Sequence, residues 1–402
     1  MIFSLAWRNI WRNKRRTAIT VASILFAVLF SSLMESIQQG AWNNMIRNVV
    51  NFHTGYIQVH QKGFWSEQSL DLAFQQPDQP LSGSGIVRAL PRLESFALAS
   101  TGVNTMGVMA TGIDPAAEEQ MTGVKERLIA GDYLSAGDKS VLIGAGIAEN
   151  LKLTAGDTLL LISQGYHGVN AAGKYPIKGI VDYPSPELDR LLVFMPLAEA
   201  QWFYGADGLV TSLVFQLEHE RRIPEAMQAL QQRFPDSEYE VMDWPALLPD
   251  LLEAKKLDSA GNVVVAIILY LIITFGLLGT ILMMVRERTY EFGLLLAIGM
   301  KRRTLGFLVW LEVVSLSLLG ALAGIVLSAP IALYFRAHPL RFTGEEYAAT
   351  LDQWGFEPVF PAEVSFYIFF KQALIIFIIA LFLALFPLLR IRRLKPVEAM
   401  RG

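Results

Sequence analysis

The sequence predicts a membrane α-helical protein with four transmembrane helices, an N-terminal amphipathic helix and a large α+β extracytoplasmic domain that contains an inserted, mostly β subdomain. The 402-residue chain is 53% hydrophobic, and its mean hydropathy of +0.38 is high for a soluble protein. Four apolar runs are long enough to cross a bilayer. Between the first two runs, short alternating segments separated by Gly and Asp are typical of β-strands.

Residues 1–16 predict a cytoplasmic amphipathic helix that lies on the membrane surface. Apolar residues recur there at spacings of three and four among five basic residues, so we expect the two tryptophans at headgroup depth. The uncharged run that follows predicts the first transmembrane helix at 17–36. A cleaved signal peptide is the alternative interpretation. Against it, the region before the run is long and carries both tryptophans, and residues 33–35 offer no small-residue cleavage site.

Residues 37–261 predict an extracytoplasmic domain with a β-rich insert at about 100–208. This segment has 16 basic and 27 acidic residues, a net charge of −11, whereas the rest of the chain carries +8. Apolar spacing predicts a helix at 86–97. The domain is expected to close with a β-α-β arrangement at 211–217, 223–234 and 238–242. Alternation predicts further strands at 55–60, 107–112, 140–143, 157–162, 177–181 and 191–195.

The second half of the chain predicts three more transmembrane helices. The order expected is a transmembrane helix at 262–285, a cytoplasmic segment at 286–303, a transmembrane helix at 304–335, an extracytoplasmic loop at 336–363, a transmembrane helix at 364–389 and a cytoplasmic tail at 390–402. Residues 1–16, 286–303 and 390–402 each carry five Lys or Arg, and four spans put them on one side of the membrane. The positive-inside rule makes that side the cytoplasm. We therefore expect a multi-pass protein of the inner (cytoplasmic) membrane, with both termini cytoplasmic and the large domain periplasmic or extracellular.

Several classes of chemistry lack their sequence patterns here. The absence of cysteine excludes disulfides and thiol catalysis, and there is no phosphate-binding GxxxxGK[ST] loop. Residues 143–146 begin like a dinucleotide-binding turn, but Glu149 stands where a third small residue is needed. The five histidines are scattered, and the acidic domain argues against a nucleic-acid partner. We expect no catalytic residue, no metal site and no cofactor bound by this chain.

Four residues inside the apolar runs are candidates for a structural or functional role. Gly320 and Gly324 form a GxxxG pattern that favours close helix packing. Glu312 and Lys371 are charges within spans, and Glu312 is the stronger functional candidate. They lie near opposite ends of their helices, so we do not expect them to pair with each other. The alternative is that each reaches the interface by snorkelling.

The segment 286–303 has two interpretations. Its charges could serve only to set the topology. The functional interpretation is that a short helix with an apolar face lies in a groove of a cytoplasmic partner while its charges fix the register. That apolar face comprises Phe292, Leu295, Leu296 and Ile298, among the charged residues Arg286, Arg288, Glu291 and Lys301.

Residues 286–303 (RERTYEFGLLLAIGMKRR) resemble the coupling segment of FtsX/MacB-type ABC transporter permeases. The opening at 6–17 (AWRNIWRNKRRT) and the tail at 393–401 (RLKPVEAMR) are similar to those of the same superfamily. In the outer domain, 111–115 (TGIDP) and 187–193 (ELDRLLV) resemble the lipoprotein-releasing, LolC/LolE-like branch.

The resemblance implies a non-catalytic permease subunit whose partner, a cytoplasmic ABC ATPase dimer, binds ATP and Mg²⁺. It further implies a second permease copy or paralogue, contact with membrane lipid, a lipoprotein or other amphiphile as cargo, and a periplasmic carrier or adaptor. Peptide or antibiotic efflux and a non-transporting signalling or scaffold role are the alternatives. The residues expected to couple to the ATPase are Arg286, Glu287, Arg288, Glu291, Phe292, Gly293, Leu295, Ile298, Gly299, Lys301, Arg302 and Arg303.

Overall fold

The computed structural model describes residues 2–12, 14–77, 83–183, 185–341 and 359–394. The described chain divides into two compact units. A helical unit takes the residues up to Asn43, Ala254–Arg341 and the residues from Val359 onwards, and a sheet unit takes Asn44–Glu253. Most of the predicted loop at 336–363 and most of the tail at 390–402 lie outside the described residues.

The described helices are listed here in chain order. They are α1 (Ile2–Arg12), α2 (Lys14–Val49), α3 (Phe64–Glu67), α4 (Pro115–Thr122), α5 (Ala145–Leu151), α6 (Pro186–Asp189), α7 (Leu197–Tyr204), α8 (Ile223–Arg233), α9 (Trp244–Leu247), α10 (Pro249–Glu287), α11 (Thr289–Ala297), α12 (Arg302–Ala337), α13 (Phe366–Leu383) and α14 (Leu385–Arg393). A π-helical turn, Val50–Thr54, continues α2.

Four helical stretches of the described chain are long and apolar enough to cross a membrane: Thr17–Thr54, Pro249–Glu287, Arg302–Ala337 and Phe366–Arg393. The two long helices α2 and α10 do not end where their apolar runs end. α10 already begins at Pro249, with Asp250 in its first turn. Proline is favoured at a helix start and an acid there complements the helix dipole. The residues between this start and the apolar run include strong helix formers, so nothing interrupts the helix.

The strands of the sheet unit are β1 (Ile57–Gln61), β2 (Phe74–Gln75), β3 (Ile86–Ser100), β4 (Thr105–Ile113), β5 (Leu128–Gly131), β6 (Val141–Gly144), β7 (Thr158–Gln164), β8 (Asn170–Val181), β9 (Leu192–Pro196), β10 (Leu209–Val210), β11 (Ser212–Leu217) and β12 (Tyr239–Asp243). A further pair, β13 (Leu340–Arg341) and β14 (Val359–Phe360), joins the ends of the partly described loop in the helical unit.

Ten of the strands form one sheet in the order β12-β1-β11-β3-β4-β9-β6-β8-β5. The remaining strand of this sheet, β7, pairs with both β3 and β8. The pairing β3-β4-β9-β6-β8-β7 therefore returns to β3 and closes a ring of six strands. The first half of β3 belongs instead to a four-stranded layer with β11, β1 and β12, so this one long strand runs through both parts of the unit.

One apolar core lies in each of these two parts, and a further cluster around Phe194 packs on the ring strands β4, β6, β8 and β9. The larger core combines buried residues of the ring strands with residues of α5 and α7. The smaller core packs α8 against β1 and β11, with Ala226 and Leu230 of α8 contacting buried side chains of the strands. β11, α8 and β12 form the predicted β-α-β arrangement, with β1 paired between the two strands.

The helix predicted at 86–97 is wrong, because Ile86–Ser100 form the strand β3. The segment looked helical because Leu90, Leu93 and Ala97 are spaced like one face of a helix. In the strand, Leu90 and Leu93 point to opposite faces, and both are buried because each face is covered. This two-sided burial hides the period of two, although Pro91 argued against a helix. The other strands and the helix predicted between 55 and 242 are confirmed to within about two residues, except that β8 begins at Asn170, well before the predicted strand at 177–181.

The glycine-containing turn at 143–146 is filled by the chain's own carboxylate. Asp189 accepts hydrogen bonds from the backbone amides of Ala145, Gly146 and Tyr183 at 2.9, 2.6 and 3.1 Å. A Cβ at Gly146 would lie 2.7 Å from Cγ of Arg190, so a side chain does not fit there. Burial raises the pKa of the Asp189 carboxyl, and the three amides oppose that rise. The first two amides lie at the start of α5, so Asp189 occupies the donors that an anion would need there.

We expect Asp189→Ala to destabilise the sheet unit by about 2 kcal/mol, because three amides lose a charged acceptor. Urea unfolding of a fragment spanning 37–261 would measure the change. The same measurement tests whether this fragment folds by itself, as its soluble character predicts. Glu187→Ala is the matched control, since Glu187 is exposed on the same helical turn. Equal unfolding midpoints for the two variants would show that the Asp189 contacts contribute no stability.

Candidate functional site

The predicted coupling segment is a short helix, α11, held between the long helices α10 and α12. It ends at a turn in which Gly299 has φ of +103°, a conformation that residues with a Cβ rarely adopt. The amide of Met300 donates back to the carbonyl of Leu295 at 3.0 Å. This turn is typical of helix C-termini, and it redirects the chain into α12.

One side of α11 is buried within the chain. Phe292 is 1% exposed and packs in a cluster with apolar residues of three other helices. Gly293 is also buried, and the half-buried Leu295 and Leu296 lie against the same cluster. Most of the predicted apolar face therefore holds α11 in place and is not available to a partner. The cluster residues from the other helices are Val285, Leu305, Val309 and Ile391.

A buried ion pair joins the start of this segment to α12. Nη1 of Arg288 donates to Oε2 of Glu312, and the two side chains are 6% and 1% exposed. Nδ2 of Asn9 donates to the other carboxylate oxygen of Glu312 at 2.6 Å. Both oxygens therefore have partners, and Glu312 does not snorkel. Removing one member of such a pair leaves a buried charge without compensation.

Glu291 extends this pair towards α1. Its carboxylate accepts from Nε of Arg288 at 3.0 Å and from Nη2 of Arg12 at 2.6 and 2.7 Å. Partial burial by itself raises the pKa of the Glu291 carboxyl, but the bonds from Arg288 and Arg12 outweigh this and hold the pKa below its usual range. We refer to Asn9, Arg12, Arg288, Glu291 and Glu312 as the charge network. It connects α1, the coupling segment and α12.

α1 is fixed to the same region by apolar contacts. Ala6 is buried against Leu308 and Leu311 of α12. A neighbouring strip of α1 exposes Trp7 and Trp11. The helix therefore has two apolar strips. One is packed on the protein, and the other, which carries the tryptophans, is exposed.

The rest of the predicted coupling residues lie at the surface of the described chain. A new feature is an exposed apolar stripe on α11, formed by Tyr290, Leu294 and Ile298 at spacings of four. Ile298 is 75% exposed and is the only one of the three that was predicted. The predicted coupling residues that are exposed are Arg286, Glu287, Ile298, Gly299, Lys301, Arg302 and Arg303, with Glu291 half-buried.

The glycines of the GxxxG pattern lie against α2. A Cβ at Gly320 would be 2.7 Å from Cβ of Ile24, and one at Gly324 would be 2.6 Å from Cβ of Val28. Neither position has room for a side chain, so α12 and α2 approach with their backbones close together.

A second polar cluster lies at the opposite end of these helices. Glu35 of α2 accepts from Nζ of Lys371 and Nε2 of Gln372 on α13. Gln372 in turn accepts from the hydroxyl of Tyr270 on α10 at 2.5 Å. Lys371 thus has a carboxylate partner of its own. Glu312 and Lys371 bind different residues.

A cavity of about 390 Å³ adjoins this second cluster, between α2, α10 and α13. Its lining is mostly apolar, with residues such as Val263 and Ile267, and also includes the charged side chains of Glu35 and Lys371. Next to it, Asp258 of α10 joins the two long helices. Its carboxylate accepts from Nε1 of Trp42 at 2.7 Å and from Nε2 of Gln38 at 2.9 Å.

Sequence reasoning missed the partners of the intramembrane charges. Arg288 lies in the predicted cytoplasmic segment at 286–303, and Glu312 lies near the cytoplasmic end of the predicted span that follows, so a basic residue close to Glu312 was a usable signal. Glu35 ends the first apolar run and Lys371 lies near the outer end of the fourth, which also puts opposite charges at one depth. Asn9 and Asp258 had no comparable signal, because their roles depend on which helices are neighbours.

Two family models together match most of the chain. A model described as MacB-like periplasmic core domain matches residues 17–233, and a model described as FtsX-like permease C-terminal matches residues 263–396. The first match alone covers more than half of the 402 residues. The chain belongs to the FtsX/MacB superfamily of ABC transporter permeases. The resemblance predicted from the coupling segment is thereby confirmed.

This permease is also similar to two proteins named lipoprotein-releasing system transmembrane protein LolC. The protein from Xylella fastidiosa strain 9a5c is 23% identical over 330 residues, which covers 79% of this chain and 78% of the relative. The protein from strain Temecula1 is 24% identical over 334 residues, with the same coverage. These similarities support the LolC/LolE-like branch.

Among solved structures, the periplasmic region of MacB from Actinobacillus actinomycetemcomitans has a TM-score of 0.35 and 12% identity, covering 52% of this permease and 97% of that chain. The extracellular domain of the ABC-type transporter YknZ from Gram-positive bacteria has a TM-score of 0.32 and 14% identity, and the match covers 47% of this permease and 100% of that chain. Because both TM-scores are below 0.5, the family assignment depends on the sequence matches. No group of three or more His, Asp and Glu within the described ranges is arranged to hold a metal ion.

We expect Glu312→Gln to lower the thermal unfolding temperature of the detergent-solubilised permease. Loss of one partner from a buried ion pair costs up to about 3–5 kcal/mol, because Arg288 keeps its buried charge and only the half-buried Glu291 remains as its carboxylate partner. The double variant Arg288→Met, Glu312→Met removes both charges and should recover most of the loss. Glu287→Gln, at an exposed position, is the control. If Glu312→Gln unfolds at the same temperature as this control, the pair does not stabilise the helical unit.

Proposed function

We propose that this permease is the membrane subunit of a mechanotransmitting ABC transporter. A separate cytoplasmic ATPase dimer binds ATP and Mg²⁺ and supplies the energy, while this chain binds no cofactor and catalyses no reaction. The observation that carries the proposal is the continuity of α10, which runs from Pro249 to Glu287 and leads directly into the exposed stripe of α11. A push on α11 is therefore delivered to the end of one long helix.

The proposed topology has four spans, with both termini and the coupling segment in the cytoplasm. The three clusters of five basic residues support it. They lie before the first apolar helix, between the second and third, and at the end of the fourth, which four spans put on one side of the membrane. The acidic sheet unit then lies outside the inner membrane. The boundaries proposed for the spans stay at 17–36, 262–285, 304–335 and 364–389.

The proposed contact with the ATPase is the stripe Tyr290, Leu294 and Ile298, surrounded by exposed charges. An amphipathic helix that presents anchors at i, i+4 and i+8 suits a groove on a partner. Phe292 and the charge network lie behind the stripe and hold α11 rigidly against α10 and α12. Rigid support is needed, since a loosely held helix would absorb the push instead of passing it on.

Two long helices are proposed to carry the movement outward. α2 and α10 have 36 and 39 residues, which corresponds to about 54 and 58 Å. The hydrocarbon core of a bilayer is roughly 30 Å thick, so both helices continue well beyond it. The contacts of Asp258 with Trp42 and Gln38 tie the two helices together in that outer part.

The proposed cargo is a lipoprotein or another amphiphile taken from the outer leaflet. The cavity beside Glu35 and Lys371 supports this class, because its mostly apolar lining suits acyl chains and these two charged side chains suit a headgroup. The similarity to proteins named for lipoprotein release points in the same direction. A second permease copy or paralogue, membrane lipid, and a periplasmic carrier or adaptor are the further partners proposed.

We expect the triple variant Tyr290→Ser, Leu294→Ser, Ile298→Ser to lose the ATPase during co-purification. Each apolar anchor contributes roughly 1.5–3 kcal/mol when fully buried, so the affinity should fall by more than tenfold. Expression and membrane insertion should be unchanged, because the basic charges that set the topology remain.

The matched control for the stripe is Tyr290→Phe, Leu294→Met, Ile298→Val, which keeps the apolar surface. It should retain the ATPase. If the serine variant also retains the ATPase and supports transport, the segment serves only to set the topology.

Cysteine labelling tests the topology, because the chain has no cysteine of its own. Val103→Cys, at an exposed position of the sheet unit, should react with a membrane-impermeant maleimide in intact spheroplasts. Lys301→Cys should react only after permeabilisation. The reverse result would place the coupling segment outside and contradict the proposal.

A further inference from the structure

The far end of α2 is held by a buried arginine of the sheet unit. The helix finishes in the π-helical turn Val50–Thr54, after which Gly55 has φ of +64° and the chain enters β1. Nη1 of Arg92, on β3, donates to the carbonyl oxygen of His53 at 2.5 Å. Carbonyls at a helix end lack partners within the helix, and the helix dipole makes this end negative, so a guanidinium is a suitable partner.

Arg92 is completely buried and is fixed from two further directions. Its Nη2 and Nε donate to the two oxygens of Glu118 on α4 at 2.7 and 3.2 Å. A second carboxylate, from Glu94, lies 3.6 Å from Nη1. Glu118 is buried as well, and α4 contacts the π-helical turn directly. The planar guanidinium therefore spans the helix end, α4 and β3 at once.

The position of Arg92 in the sheet makes this contact rigid. Arg92 is the last residue of β3 paired with β11, and Leu93 is the first paired with β4. Its carbonyl accepts from the backbone amide of Thr211 at 2.9 Å, and the hydroxyl of Thr211 accepts from the amide of Glu94 at 2.8 Å. The arginine thus stands where the four-stranded layer meets the six-stranded ring.

Fold stability does not explain this arrangement well. A buried ion pair replaced by apolar residues of similar size often leaves stability unchanged or increases it. A guanidinium does add a defined geometry, because its N–H donors lie in one plane and hold three partners in fixed positions. The carbonyl of His53 is the partner that belongs to the end of α2.

We propose that Arg92 is a positioning residue that fixes the end of α2 to the sheet unit, so that movement of the helix is passed into both parts of the sheet. The inference rests on the proposed function, in which α2 carries movement outward. It adds a site in the outer domain where that movement is received. Without Arg92, the helix end turns against the sheet and the movement is dissipated.

The test uses the full permease with its ATPase in proteoliposomes. The variant Arg92→Met, Glu118→Met removes both charges together, so that neither remains buried and unpaired. Arg92→Lys is the second variant, because it keeps the charge but cannot reach His53 and both oxygens of Glu118. Asp138→Asn, Lys178→Met is the matched control, since it removes an ion pair of the ring that does not contact α2.

Spin labels at Arg47→Cys and Val103→Cys report whether the helix end is fixed. Both positions are exposed and lie in the sheet unit. We expect a narrow distance distribution in the parent and the control, and a clearly broader one in the Met variant, with Arg92→Lys between them. A distribution that stays narrow in the Met variant overturns the proposal.

ATP-driven extraction of a synthetic acylated peptide from the proteoliposomes reports transmission. We expect the Met variant to keep parental basal ATP hydrolysis while extraction falls by roughly tenfold. Parental extraction together with a broadened distance distribution overturns the proposal, because the anchor is then not needed. If the parent itself extracts nothing, the proposed function fails, and the spin labels still decide whether Arg92 fixes the helix end.

Discussion

A charge that lies among apolar helices must have a partner, and this constraint organises both ends of the helical unit. At one end, Arg288 and Glu312 satisfy each other, and the spare oxygen of Glu312 draws in Asn9 of α1. At the other end, Lys371 shares Glu35 with Gln372. The contacts of Asn9 with Glu312 and of Glu35 with Lys371 and Gln372 join helices that are distant in sequence. Between these two ends, α12 and α2 are in close contact at Gly320 and Gly324.

The sequence was sufficient for features that depend on local pattern. Long uncharged runs, alternation and turn residues predicted the four apolar helices and most strands of the sheet unit. It failed at 86–97, where burial on both faces of β3 imitates helical spacing. It also could not predict that β7 closes the ring, because that pairing depends on strands far apart in the chain. The lengths of α2 and α10 were underestimated because an apolar run marks contact with lipid, whereas a helix continues through polar residues.

For the candidate site, the sequence located the segment but not its orientation. Arg288 and Phe292 are buried, while Tyr290 and Leu294 are exposed. Which side of α11 is buried depends on its packing against neighbouring helices, and the local sequence does not specify that packing. The turn at 143–146 is a comparable case. Its amides are arranged as in an anion-binding turn, but Asp189, more than forty residues later, already occupies them. The local sequence specifies the turn and its amide donors, but only the fold determines that the acceptor is Asp189.

The closed ring of strands affects how outer domains can approach one another. A ring has no free edge, and the pairing order of the described sheet ends in β12 and β5, which have five and four residues. Such short edges offer little unpaired backbone for a foreign strand to join. Other polypeptide segments therefore find few sites for β-sheet extension. The described sheet unit is thereby protected against edge-to-edge association with other β-structures.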